Sequence, residues 1–240
     1  MKLLTYILLI ILLLFHIIST RYIKQNIIKK RIKEIFKIKV LMVPISIVLS
    51  LILIKIIGIP LKTAGFTLGD ITEGLRSIIY IGLPLALISS ALVFTMSRKD
   101  LNEVKYGQNP SVWSFLYVWI FVGPVEEILY RGFVQGTLST LIEGQIFFFS
   151  YSTILASVIF VLAHVSNVYS YNESWKSFLG MIPTRFIAAM VLGFSFQVSN
   201  SLLYPIIIHN LIDGFNLTVL SYRKNKIQEA KDQEYYTFDD

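Results

Sequence analysis

The chain has 240 residues, 55% of them hydrophobic and only 15% charged, with a mean hydropathy of +0.65 and no cysteine. A soluble domain carries about 25% charge, so an ordinary water-soluble core is excluded, and the lack of cysteine excludes disulfides and thiolate chemistry. The net charge of +7 does not signal nucleic acid: residues 21–39 hold eight Lys or Arg against one Glu, so this single segment accounts for it, as a cationic loop at a membrane surface would.

The apolar residues come in blocks close to the roughly 20 residues that span a bilayer as helix. The expected fold is all-α: a polytopic transmembrane helix bundle with about seven spans, six to eight being compatible with the pattern. The first span is placed at 3–19. A signal peptide also opens on a Lys and an apolar run, but no small-x-small cleavage site follows here. His16 inside it is read as incidental. Residues 21–39 interleave Ile and Phe with cations at near-helical spacing. They read as an amphipathic helix on anionic lipid or as a solvated basic loop.

The second span is placed at 40–59, with Lys55 near its end able to reach the headgroups. Residues 60–76 read as a mixed connection, 77–96 as the third span and 97–110 as a polar loop. The fourth span, 111–138, is long and carries Gly123-Pro124, which predicts a kink or break. Three more spans follow at 146–166, 177–197 and 201–220, and 221–240 reads as a polar tail. The organisation is thus N-terminal helices over 1–110, a core over 111–220 and the tail. If 21–39 lies inside, the inner segments hold sixteen cations and the outer ones three. That places the N-terminus out and the C-terminus in.

Charges inside the spans are the informative residues, because an ionised group in hydrocarbon is costly and marks function or pairing. Glu126, Glu127 and Arg131 lie in the fourth span, His164 in the fifth, and His209 and Asp213 in the seventh. Glu127 and Arg131 are four apart, as are His209 and Asp213, so each pair shares a helix face. Glu126 is turned away from Glu127 and free to face something else. Arg185, deep in the sixth span, is read as structural. Taken singly, each has a structural explanation; convergence on one site inside the bundle explains them together. A carboxylate near a His can take a proton from water for amide hydrolysis, and a second His can donate to the oxyanion. The same groups could instead hold zinc, with one acid as base. Candidate metal ligands are Glu126, His164, His209 and Asp213.

In order, these clusters resemble the CPBP family of intramembrane proteases, which includes type II CAAX prenyl proteases and the bacteriocin-processing or immunity (Abi) proteins. The family pattern Glu-Glu-x-x-x-Arg, Phe-x-x-x-His, His-x-x-x-Asn/Asp stands here as Glu126-Glu127…Arg131, Phe160…His164 and His209…Asp213. The resemblance covers about 111–217. It implies a catalytic set of Glu126, Glu127, Arg131, His164, His209 and Asp213. Glu126 would activate water with His164, Glu127 and Arg131 would support the helix, and His209 with Asp213 would bind the oxyanion or complete the site. It implies either zinc or a metal-free glutamate mechanism. An ionised Asp213 cannot donate to an oxyanion as Asn would, so it is expected to orient His209, be protonated or bind metal. The expected function is an intramembrane endopeptidase acting on membrane-associated peptides or proteins in a bacterial plasma membrane. The alternatives are a non-proteolytic immunity or scaffold protein and, less favoured, a transporter. The partners expected are the lipid bilayer and a peptide or membrane-protein substrate, without nucleic acid.

Overall fold

The computed structural model describes residues 5–7, 10–11, 14, 35–104, 110–169 and 173–237. Most of the predicted first span and most of the basic segment lie outside the described residues. The principal helices among the described residues are α1 Ile35–Ile57, α2 Ile71–Thr95, α3 Arg98–Glu103, α4 Val112–Leu141, α5 Tyr151–Tyr169, α6 Trp175–Ser199 and α7 Leu203–Thr237. All but α3 hold a stretch long and apolar enough to cross a membrane, giving six candidate spans among the described residues.

Helix starts follow local chemistry. Asp70, Ser97, Ser111, Ser150 and Ser174 each accept a hydrogen bond from a backbone N–H in the first turn of the helix that follows. Such caps satisfy donors that no helical carbonyl can reach. The cap at Asp70 explains why α2 begins before the predicted boundary: 71–76 form its first turns, with Glu73 and Arg76 paired at 2.5 Å. At 146–150 the expected helix is absent. Gln145–Ile146 (β1) and Phe149–Ser150 (β2) form a short antiparallel hairpin instead, and Ser150 then starts α5. The polar tail continues α7 as helix through Thr237, since its Lys, Gln, Glu and Ala are good helix formers.

The helices run alternately up and down. At one end, Asp70 N–H donates to Ser199 O at 2.7 Å, Leu202 N–H to Gly65 O at 3.0 Å, and Gln197 to Phe148 O at 2.8 Å. Gly69 has φ +59, and an added Cβ would lie 1.9 Å from the carbonyl oxygen of Ser199, so only glycine fits there. At the other end, Arg223 donates to the carbonyls of Val93 and Met96, and Lys224 to that of Val104, fastening the 96–104 loop to α7.

α7 is the central element, packed against α2, α4 and α6, while α5 lies on α6 and α1 on α4. Small residues permit these close approaches, as is usual between helices in lipid. Gly82 of α2 faces Ile208, and Gly214 of α7 faces the Trp119 indole of α4. α4 does not break at Gly123-Pro124. It continues through wide turns with i→i+5 hydrogen bonds at Tyr117–Phe121 and Ile128–Gln135, on either side of Val122–Glu127. Such turns absorb an extra residue without ending the helix.

A Cβ at Gly214 would meet the Trp119 ring at 2.4–2.7 Å. Gly214→Ala is therefore expected to destabilise the bundle by about 1–3 kcal/mol, read as a lower Tm in detergent. Trp119→Leu in the same chain is expected to recover part of the loss.

Candidate active site

The site forms where the middle of α4 meets the first third of α7. Glu127 and Arg131 are fully buried, at 0% exposure, and His209 is 5% exposed. Arg131 Nε lies 3.1 Å from Glu127 Oε2, the pairing expected from their spacing. Arg131 Nη2 donates to the carbonyl of Ala189 on α6 at 2.8 Å, and the guanidinium lies 4.8 Å from the centre of the Phe160 ring on α5. One side chain thus joins three helices.

The other oxygen of Glu127 is 2.6 Å from His209 Nδ1. A carboxylate paired with Arg131 can only accept, so Nδ1 carries the proton and donates. The close partner of His209 at Nδ1 is thus Glu127, while Asp213 stands on the Nε2 side. His209 Nε2 is then turned toward Asp213 Oδ2 at 3.6 Å and Glu126 Oε2 at 3.9 Å.

Glu126 and Glu127 are adjacent in sequence and opposite in circumstance. The Glu126 side chain is 29% exposed and that of Asp213 39%. Among the described residues no arginine is paired with Glu126, so it is the acid of the pair with room for water.

His164 sits at a pinch in α5, where its N–H bonds back to Val161 O and its carbonyl accepts from Asn167 N–H. Its Nδ1 is 2.8 Å from the carbonyl of Phe160. A carbonyl only accepts, so the proton of a neutral His164 is on Nδ1 and the lone pair on Nε2. The Phe160 ring connects His164 to the rest of the cluster, with ring centres 4.7 Å from His164 and 6.1 Å from His209. Glu126, Glu127, Arg131, His209 and Asp213 therefore converge directly, and His164 joins through Phe160. Arg185 lies apart, held by both oxygens of Glu173 at 2.8 and 2.9 Å, in keeping with its structural reading.

Zinc needs three or four N or O ligands at about 2.0–2.2 Å around one point. Among the described residues, no three His, Asp or Glu side chains are placed to hold a metal ion. Glu126, His164, His209 and Asp213 do not fit a metal cage as arranged, and the chemistry below is assigned to side chains alone.

Residues 108–215 match the model of the family described as type II CAAX prenyl endopeptidase Rce1-like. The match covers just under half of the chain and contains all three motif segments. Comparison with curated proteins and with solved structures gave no match.

Removing Arg131 leaves a carboxylate buried without its counter-charge. Arg131→Met is expected to cost about 3–5 kcal/mol, read by thermal unfolding. Adding Glu127→Gln is expected to recover much of it; equal or additive losses would contradict a paired interaction.

Proposed function

We propose that this chain, whose residues 108–215 match the type II CAAX prenyl endopeptidase Rce1-like model, is a CPBP-type intramembrane endopeptidase in which Glu126 takes the proton of an attacking water. The observation that carries this reading is the division of labour between the two glutamates. Glu127 is committed to Arg131 and His209, whereas Glu126 is part-exposed and faces the outer nitrogen of His209.

In the first step Glu126 accepts a proton from water, and the resulting hydroxide attacks the carbonyl carbon of the scissile amide. The lone pair on His164 Nε2 can accept a hydrogen bond from the same water. As the C–O bond forms, charge builds on the carbonyl oxygen. His209 is held from behind by Glu127 and can present a proton at Nε2 to that oxyanion. Asp213, with its Oδ2 3.6 Å from that nitrogen, lines the same side of His209. When the C–N bond breaks, the proton on Glu126 passes to the departing amine. Water is consumed, and one acid and one amine are released, so the protons balance.

The substrate class favoured is a membrane-associated peptide or protein, because the cluster lies in helices with span-like hydropathy. Prenylated CAAX peptides enter through the family description alone. The basic residues Arg98, Lys99, Lys176, Arg223 and Lys224 belong to the same end of the bundle, which supports a C-terminus-in orientation in a bacterial plasma membrane.

The test is cleavage of membrane-peptide substrates by purified protein in nanodiscs, with a prenylated CAAX peptide and bacteriocin precursors in the panel. Wild type is expected to cleave at least one, with Glu126→Gln lowering the rate at least ~100-fold and a zinc chelator leaving wild type unchanged. Cleavage by Glu126→Gln at the wild-type rate would refute the assignment. Loss of wild-type activity with chelator would move the chemistry to a metal. A cellular phenotype that survives Glu126→Gln would favour the immunity or scaffold alternative.

A further inference from the structure

From the contacts of Asn210 with the backbone of α4, we propose that Asn210 is a positioning residue which replaces the hydrogen bonding lost at Pro124 and so holds Glu126 and Glu127 in register with His209; this rests on the protease reading above. Proline has no N–H. In regular helix the N–H of residue 124 would serve the carbonyl of Ile120. Here the Asn210 Nδ2 donates to that carbonyl at 3.3 Å, reaching across from α7. Its Oδ1 accepts from Gly123 N–H at 2.9 Å. The partners fix the amide orientation, since an N–H can only donate and a carbonyl can only accept.

The fit is close. A Cβ on Gly123 would lie 2.6 Å from Asn210 Oδ1 and 2.8 Å from the carbonyl of Ile206. Glycine at 123 is therefore what lets α7 approach α4 at this level. The wide turn at Tyr117–Phe121 ends just before it, so two irregularities in the α4 ladder meet at the point that Asn210 covers.

His209 and Asn210 are consecutive on α7 and turned from one another by about 100°. One addresses Glu127 and the other the backbone three to six residues before Glu126. Two contacts within a single turn of α7 thus fix both the height and the rotation of α4. Backbone groups left unpaired in lipid are costly, so loss of the amide gives α4 a reason to shift, and a shift of ~1 Å in catalytic groups can cost about 10²-fold in rate.

The test is a double-mutant cycle of Asn210→Ala and Pro124→Ala, measured in nanodiscs as kcat, KM and Tm. Asn210→Ala is expected to lower kcat about tenfold with KM near wild type. Pro124→Ala restores an N–H for Ile120, so Asn210→Ala in that background is expected to lose about threefold or less, with coupling of the same sign in Tm. Equal losses in both backgrounds, or a lower Tm with unchanged kcat, would overturn the proposal. If Asn210→Ala cannot be purified, Asn210→Ser, whose hydroxyl can keep one of the two bonds, takes its place. A wild type that cleaves nothing would count against the protease reading, and the Tm cycle would still decide whether Asn210 replaces the proline N–H.

Discussion

The carboxylate of Glu127 is sealed from solvent, and its charge must be held by what touches it. Arg131 balances it from one turn further along α4, and His209 binds its second oxygen from α7. Breaking a buried pair of this kind costs several kcal/mol because the survivor is stranded. The two helices cannot slide or rotate past one another without paying that cost. Ala189 on α6 and Phe160 on α5 extend the same constraint to the remaining walls of the site.

That fixed centre leaves its neighbours accessible. Glu126 and Asp213 keep partial exposure on the far side of His209, so the carboxylate proposed to activate water has room for it beside a rigid scaffold. Preorganised groups of this kind need little rearrangement as charge develops. The irregular turns of α4 belong to the same design. They place Val122–Glu127 between two widened stretches, and close glycine contacts at positions 123 and 214 bring α7 against them.

Much of this is legible in the sequence because charge in an apolar run has few explanations. The pairing of Glu127 with Arg131 follows from their spacing, and the spans at 40–59, 77–96, 177–197 and 201–220 follow from hydropathy. Other features depend on contacts that spacing does not encode. Glu127 rather than Asp213 meets His209 Nδ1, since the depth at which α4 and α7 cross decides which acid is nearer. The hairpin at 145–150 is as apolar as a helix end, and its turn and the Ser150 cap decide its shape. Pro124 does predict a freed carbonyl at Ile120, and an Asn in an apolar helix is a natural partner for it. Only the packing of α7 reveals that Asn210 is that partner.

Two adjacent glutamates are assigned separate tasks, one structural and one chemical. Measuring Tm and cleavage rate on the same preparations of Glu126→Gln and Glu127→Gln separates the two. Glu126→Gln is expected to keep a wild-type Tm and lose cleavage, while Glu127→Gln, which strands the buried Arg131 charge, lowers Tm by several degrees, the equivalent of about 2 kcal/mol or more. A Glu126→Gln protein that still cleaves, or a Glu127→Gln protein as stable as wild type, would contradict that assignment.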